Sequence, residues 1–283
     1  MDQTVQTQEG SISLSTIITI AHSAGAKILD IYNGNQSNWQ VDRKADNSPL
    51  TIADRAANTE ICKHLQNTNP LFPIMSEENK QAAYEDRKGW KAYWCVDPLD
   101  GTKEFLKRNG EFTVNIALME AMDLEKPEGG AKAILGVVYV PVSGKVYFGG
   151  RDVGAYMANL EKDGSATGVE KIECAKFSEE EKGLKIVCSR SHLDDRTKEI
   201  MSKYKESQSV SMGSSLKFML IAEGKAHVYP RMAPTMEWDT AASQIIVEQA
   251  GGEVLRAEDY SKMVYNKENL LNPFFICYGN RAK

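Results

Sequence analysis

The chain has 283 residues, of which 42% are apolar and 26% charged, a composition typical of a soluble globular protein with room for a large core or two subdomains. Its formal net charge of −5 argues against a general nucleic-acid binder, whose surface should be basic. Five widely spaced cysteines without a CxxC motif predict free thiols in a reducing cytosol, and four scattered histidines argue against a zinc site. The sequence predicts neither a signal peptide nor a membrane span.

Helices and then strands are predicted in the first half of the chain. Apolar residues at helical spacing predict a helix from about Leu14 to a turn at Asn33-Gly34, and a second helix runs from about Thr51 to Gln66. Between them, the Ser48-Pro49 step should be extended. Strands are then predicted at 92–96, 112–119, 134–140 and 146–148, the last two joined by a turn at 143–144. Such consecutive pairing indicates a largely antiparallel sheet flanked by helices.

Strands and helices alternate in the second half. Strands are predicted at 185–188, 226–229, near 254 and at 274–277, and helices at 194–204, 214–222 and 238–250. We place a subdomain boundary in the charged stretch 178–182. Residues 1–180 would then form an N-terminal α+β subdomain with the antiparallel sheet, and residues 181–283 a C-terminal α/β subdomain.

Four acidic segments stand out because hard divalent cations bind oxygen donors, and a multinuclear site needs several carboxylates from different elements. The segments are 44–54, 76–78, 97–102 and 237–240. The strongest is Asp97-Pro-Leu-Asp-Gly-Thr102, which follows an apolar strand and opens a helical segment. It offers two carboxylates, a turn carbonyl at Leu99 and helix N-terminal amides suited to phosphate.

Each segment also has a purely structural interpretation. The segment 97–102 could be an ordinary Asp/Pro/Gly turn. Asp54 completes a capping box with Thr51. A catalytic role for Asp54 would be compatible with that cap only if the Asp54 side chain turned outward. An acidic pair such as Glu77-Glu78 is usually solvated, and Asp239 in a first helical turn normally serves the helix dipole. Taken singly, three of the four segments are weak signals.

Their joint order resembles the inositol monophosphatase superfamily. The matching motifs are K-x-D-x-S-P-x-T-x-A-D at 44–54, EE at 77–78, D-P-L-D-G-T at 97–102 and W-D-T-A-A at 238–242. Within that superfamily, segments 97–105, 108–117, 189–192, 213–217 and 229–231 resemble the CysQ-type 3′(2′),5′-bisphosphate nucleotidases. The resemblance implies an α+β / α/β fold, a layered αβαβα sandwich of the sugar-phosphatase type.

The resemblance also implies residue roles. Two or three Mg²⁺ ions would be held by Glu77, Asp97, the Leu99 carbonyl, Asp100 and Asp239. Asp54 and Thr102 would orient and deprotonate the attacking water. The residues implied in substrate binding are Gly101 and Thr102 at the scissile phosphate, Ser214, Lys217 and Arg231 at the 5′-phosphate, and His192 against adenine. Without the resemblance, Lys217 would be read as a solvated helix residue and 189–192 as a loop.

The implied activity is hydrolysis of 3′-phosphoadenosine 5′-phosphate to AMP and phosphate, which recycles a by-product of sulfur assimilation and is inhibited by lithium. One alternative is the same chemistry on inositol monophosphate, fructose 1,6-bisphosphate or another sugar phosphate. Another is a non-catalytic nucleotide- or metal-binding regulator. The expected partner is a small molecule and no nucleic-acid polymer. We expect a cytoplasmic protein, and leave open peripheral association with the cytoplasmic face of the inner membrane and the oligomeric state.

Overall fold

Two β-sheets separated by helices form the framework of the protein. The computed structural model describes residues 3–36, 39, 41–43, 49–188 and 195–282. The helices of the first half are α1 (Leu14–Tyr32), α2 (Ile52–Leu65), α3 (Tyr84–Arg87) and α4 (Thr102–Leu106). Its strands are β1 (Thr4–Thr7), β2 (Gly10–Ser13), β3 (Asp42–Arg43), β4 (Pro49–Leu50), β5 (Ile74–Ser76), β6 (Ala92–Asp100), β7 (Thr113–Ala121), β8 (Ala131–Val140), β9 (Lys145–Gly150), β10 (Gly154–Leu160), β11 (Ala166–Lys171) and β12 (Lys176–Phe177).

The second half supplies the smaller sheet. Its helices are α5 (Asp195–Ser202), α6 (Leu216–Ala222) and α7 (Glu237–Gln249). Its strands are β13 (Lys185–Cys188), β14 (Gln208–Ser211), β15 (Val228–Arg231), β16 (Glu253–Arg256), β17 (Phe275–Tyr278) and β18 (Asn280–Arg281). The predicted alternation of strands and helices is therefore confirmed.

The larger sheet has seven strands in the order β11-β10-β9-β8-β7-β6-β5. Its neighbours are antiparallel except for the parallel pair of β5 and β6, as the sequence predicts. The second sheet has the order β14-β13-β15-β17-β16 and is mixed. Strands β10, β11 and β14, the β1–β2 hairpin and the short pairs β3–β4 and β12–β18 are not predicted from the sequence.

Three apolar clusters explain the layering. Side chains of β7 alternate, so that Ile116 and Leu118 join the cluster beneath α1 and α2, whereas Ala117 and Met119 join the cluster around α6 and α7. A third cluster, with Ile186 as a member, takes in the partly buried Ile200 of α5. The layers are thus two helices, the larger sheet, two helices, the smaller sheet and one helix. The predicted αβαβα sandwich is confirmed.

Helix α7 lies in the middle layer. It packs against strands β6 to β10 of the larger sheet and against β16 of the smaller one. The closest approach is at Gly136 of β8, where an added Cβ would lie 2.3 Å from the carbonyl oxygen of Ala242. The two predicted subdomains therefore share one layer of helices. None of the described helices combines the length and apolarity needed to cross a bilayer.

Candidate active site

Three carboxylates from distant parts of the chain meet where β5, β6 and α7 come together. Glu77 follows β5, Asp97 lies on β6 and Asp239 lies in the first turn of α7. One oxygen from each lies within 4.8 Å of the others. The backbone N–H of Glu77 donates to the Val96 carbonyl at 3.1 Å, which holds Glu77 beside Asp97. We call Glu77, Asp97 and Asp239 the acidic cluster.

The acidic cluster is electrostatically unfavourable without a cation. Burial raises the pKa of Asp97 well above its usual range, and the neighbouring Glu77, Asp100 and Asp239 raise it further. Burial, followed by repulsion from Asp100 and Glu77, raises the pKa of Asp239 to about 7. Oxygen donors packed this closely fit a hard divalent cation such as Mg²⁺, whose charge would offset the repulsion.

A β-bulge places Asp100 on the same side of the sheet as Asp97. In the ladder with β7, Asp97 pairs with Asn115 and Asp100 with Thr113, so three steps along β6 match two along β7. In a regular strand, residues three apart point to opposite faces. The extra residue in the Pro98-Leu99 segment cancels that alternation, because a bulge adds one unpaired residue. Asp100 is thereby turned toward the acidic cluster.

Asp54 contacts both the start of α2 and Thr102. Its Oδ2 accepts from the backbone N–H of Thr51 at 2.7 Å and from the Thr51 hydroxyl at 2.6 Å, which completes the predicted capping box. Its Oδ1 accepts from the Thr102 hydroxyl at 3.0 Å. Asp54 is 2% exposed and does not turn outward; one of its carboxylate oxygens caps α2 while the other contacts Thr102. Burial raises the pKa of Asp54.

Asp239 likewise uses one carboxylate oxygen to cap a helix, at the start of α7. Its Oδ2 accepts from the backbone N–H of Met236 at 2.8 Å, in a capping-box arrangement. The structural and metal-binding interpretations of Asp239 are therefore compatible. By contrast, Asp100 is held by side chains of the second half: its Oδ2 accepts from the hydroxyls of Ser214 and Ser215, each at 2.7 Å.

A pocket of about 540 Å³ opens between the two halves of the molecule beside the acidic cluster. Acidic and basic side chains share its walls. Its lining includes Asp100, Gly101, Ser214, Lys217, Arg231 and Asp239. Gly101 adopts a φ of +97° directly before α4, a conformation that favours glycine, and it brings the helix N-terminus to the pocket.

Lys217 is the buried cation of the pocket. It is 8% exposed, and its Nζ donates to the Ser214 carbonyl at 2.7 Å. The pKa of Lys217 is lowered to about 8, mainly by burial; the nearby Asp100 opposes this shift and Arg231 adds to it. Arg231 donates through Nη2 to the Pro234 carbonyl at 3.4 Å, and its buried Nε has no partner among the residues that the structure describes. Two cations thus face a polar pocket with hydrogen-bonding capacity left over.

The structure brings together most of the residues predicted from the sequence. His192 and residues 44–48 of the first motif lie outside the described residues. Leu99 is buried between Asp97 and Asp100. The sequence did not indicate roles for Ser215 or Asn115, although both contact Asp100. The signal that could have found them is their place in two segments that carry the resemblance, 213–217 and 108–117.

Comparison with known proteins decides the family. The family model described as "Inositol monophosphatase family" matches residues 13–273. The chain belongs to the inositol monophosphatase family. It is 42% identical over 262 residues to the 3′(2′),5′-bisphosphate nucleotidase CysQ of Salmonella typhimurium, covering 93% of this chain and 98% of that protein.

Solved structures of the family agree. The crystal structure of CysQ from Bacteroides thetaiotaomicron is 44% identical, covers 95% of this chain and 97% of its own, and superposes with a TM-score of 0.79. An IMPase from Thermotoga maritima, 22% identical, covers 94% and 92% with a TM-score of 0.71 and shows the fold alone. The resemblance drawn from the motifs is confirmed, as is the enzyme class, a phosphoric monoester hydrolase.

Proposed function

We propose that this member of the inositol monophosphatase family hydrolyses the 3′-phosphate of 3′-phosphoadenosine 5′-phosphate, using Mg²⁺ held by the acidic cluster, Asp100 and the Leu99 carbonyl. One observation carries the proposal: Asp100 and Asp239 line the same pocket as two basic side chains, the buried Lys217 and the partly buried Arg231. A substrate with two phosphates matches a pocket with one wall for metal-bound phosphate and one for a second phosphate. The CysQ relatives are 3′(2′),5′-bisphosphate nucleotidases, which supports the same substrate class.

The acidic side chains fit the implied metal. Bound Mg²⁺ would supply charge that stabilises the departing oxygen and lowers the pKa of a coordinated water. Glu77, Asp97, Asp100 and Asp239 would hold it. Oxygens of Glu77, Asp97 and Asp239 converge, and Asp100 adds to the repulsion at Asp97 and Asp239 that a cation would relieve. We propose two or three ions.

Asp54 and Thr102 would move the proton. The Thr102 hydroxyl donates its hydrogen to Asp54 Oδ1, so its oxygen keeps lone pairs that can accept from water. A proton taken from the attacking water at Thr102 Oγ1 can then pass to Asp54 Oδ1. Burial favours the protonated form of Asp54, which suits a group that must receive a proton.

The second half would select the substrate. Lys217 and Arg231 would bind the 5′-phosphate through charge-assisted hydrogen bonds, with Ser214 between them and the metals, and His192 would lie against the adenine. Gly101 and Thr102 would present the N-terminus of α4 to the scissile phosphate. Inositol monophosphate has no second phosphate for these cations, which favours a bisphosphate substrate; the CysQ relatives, named as 3′(2′),5′-bisphosphate nucleotidases, favour a nucleotide among the bisphosphates.

Phosphate release from purified protein tests the proposal. With Mg²⁺, release from 3′-phosphoadenosine 5′-phosphate should exceed release from inositol 1-phosphate, and EDTA should abolish both. The reverse preference would overturn the substrate assignment. We also expect Li⁺ to inhibit by occupying a weakly held metal position, and unchanged activity across millimolar Li⁺ would contradict that expectation.

A further inference from the structure

A buried serine at the start of α6 contacts the carboxylate of Asp100. Ser215 is 1% exposed, and its Oγ lies 2.7 Å from Asp100 Oδ2. The same Oγ lies 2.9 Å from the amide nitrogen of Asn115 on β7, and Asn115 is also 1% exposed. A carboxylate from β6, a hydroxyl from α6 and an amide from β7 therefore meet in one buried chain of hydrogen bonds.

The proton positions in this chain are fixed by chemistry. An ionised carboxylate only accepts, so the hydroxyls of Ser214 and Ser215 both donate to Asp100 Oδ2. Each hydroxyl has a single hydrogen, and Asp100 Oδ2 is nearer to it than the competing backbone carbonyl oxygens of Asp100, 3.1 Å from Ser214 Oγ, and of Asp239, 3.4 Å from Ser215 Oγ. With that hydrogen committed, the neighbouring amide or hydroxyl group must be the donor. Asn115 Nδ2 therefore donates to Ser215, and the Thr113 hydroxyl donates to Ser214 at 2.8 Å.

We propose that Ser215, supported by Asn115, is a positioning residue that orients Asp100 for metal binding. With Oδ2 held by two hydroxyl donors, the carboxylate cannot rotate freely, and Oδ1 is the oxygen that remains for a cation. Groups that hydrogen-bond to metal ligands typically change metal affinity about 10- to 100-fold when they are removed. This inference rests on the proposed role of Asp100 as a metal ligand.

The contact also links the two halves of the molecule. Ser215 and Ser214 precede α6, which carries Lys217, whereas Asp100 ends β6. Ser214 uses its hydroxyl for Asp100 and its carbonyl for Lys217 Nζ. The same short segment therefore fixes a candidate metal ligand and a candidate phosphate-binding cation.

Calorimetric titration with Mg²⁺ tests the proposal in Ser215→Ala. We expect the Kd for Mg²⁺ to rise about 10- to 100-fold, while saturating Mg²⁺ restores most of kcat. Ser215→Thr keeps the hydroxyl and should restore most of the affinity. Asn115→Ala should weaken Mg²⁺ binding in the same direction but less, and it serves as the second variant if Ser215→Ala does not fold.

Ser243→Ala is a matched control. Ser243 on α7 is also 1% exposed, but its hydroxyl has no hydrogen-bond partner among the residues that the structure describes. This variant should leave the Kd for Mg²⁺ unchanged. A wild-type Kd in Ser215→Ala would overturn the positioning role, even if its unfolding temperature in EDTA fell.

The outcome also separates this inference from the proposed function. Wild-type protein that releases phosphate in the presence of Mg²⁺ while Ser215→Ala keeps the wild-type Kd would overturn the positioning role alone. Wild-type protein that binds no Mg²⁺ would overturn both the proposed metal dependence and the positioning role.

Discussion

Thr102 Oγ1 lies 3.0 Å from Asp54 Oδ1, while the other oxygen of Asp54 caps helix α2. One carboxylate therefore fixes the start of a helix in the first half and orients a hydroxyl at the start of another. Because the cap holds Oδ2, Oδ1 has a defined position relative to Thr102. The position of Oδ1 is therefore set by local hydrogen bonds at the start of α2.

Asp54→Asn tests the proton acceptor. We expect kcat for 3′-phosphoadenosine 5′-phosphate to fall by about 10²- to 10⁴-fold at saturating Mg²⁺, because an amide does not take up the proton. Steady-state phosphate release measures the effect. Thr51→Ala is the control: it loses a capping hydroxyl, costs about 1 kcal/mol in unfolding free energy, and should lower kcat far less. Unchanged kcat in Asp54→Asn would refute the role of Asp54 as the proton acceptor.

The sequence predicts much of this arrangement because capping boxes and helix starts are local. The capping box at Thr51 and Asp54 and the helix opening at Thr102 could be read from a few consecutive residues. The bulge at Pro98-Leu99 could not, since it exists only through pairing with β7. For the same reason, the contact of Ser215 with Asp100, 115 positions earlier, leaves no local pattern.

The strands missed by the sequence have a related explanation. β11 is the edge strand of the larger sheet and is largely exposed, and β10 lies beside it. An exposed edge strand needs few apolar residues, so the alternation that predicts strands is weak there.

Asp97→Asn should remove activity and yet leave the metal-free fold as stable or more stable. The substitution takes one charge out of a buried, mutually repelling group and retains the oxygen that accepts from the Leu99 N–H. The measurement is the unfolding temperature in EDTA and in Mg²⁺, together with phosphate release. The variant should lose most of the rise in unfolding temperature that Mg²⁺ causes in the wild-type protein. Glu258→Gln, at an 84% exposed side chain, should retain it. Near-wild-type activity in Asp97→Asn would refute the metal role.

The metal-free protein should lose stability as the pH rises. An unfolded aspartate has a pKa of about 3.9, whereas the folded pKa of Asp239 is about 7 and that of Asp97 is also raised. The folded state therefore holds these protons more tightly, and its stability falls between about pH 4 and pH 7. The unfolding temperature in EDTA should be higher at about pH 5.5 than at about pH 7.5. Asp97→Asn should flatten this slope; an equal slope in both proteins would contradict the assignment.

Lys217→Met should weaken binding of the bisphosphate. Loss of a charged hydrogen bond worth about 1.5–3 kcal/mol predicts a rise in KM of roughly 10- to 100-fold for 3′-phosphoadenosine 5′-phosphate. 3′-AMP lacks the 5′-phosphate, so its KM should change little. The pKa of Lys217 is lowered to about 8, so Lys217 loses its positive charge as the pH rises through that value. The wild-type KM for the bisphosphate should therefore increase as the pH is raised through about 8.

The control for Lys217 is Lys225→Met, at a lysine whose side chain is 56% exposed and which pairs with Glu223. It should leave both KM values unchanged. If Lys217→Met raised the two KM values equally, the second phosphate would not be what Lys217 recognises.

Gly136→Ala should disturb the site from a distance. Its new Cβ would meet the Ala242 carbonyl of α7 at 2.3 Å, so the helix that carries Asp239 must move. We expect a loss of about 1–3 kcal/mol in unfolding free energy and a weaker Kd for Mg²⁺. Gly129→Ala, where nothing lies within 4 Å of the new Cβ, should change neither. An unchanged Mg²⁺ affinity in Gly136→Ala would show that α7 can shift without moving its carboxylate.

The two helix caps bear on how homologous sequences should be read. Asp54 and Asp239 each cap the start of a helix as well as facing the site. A homologue that had lost its activity would therefore still be under selection to keep both residues for folding. Their persistence therefore says little about whether a homologue is active. Asp97 caps no helix, and its burial among like charges destabilises the fold when no cation is bound. Substitution of Asp97 in a homologue is therefore a better indication of lost activity than substitution of Asp54 or Asp239.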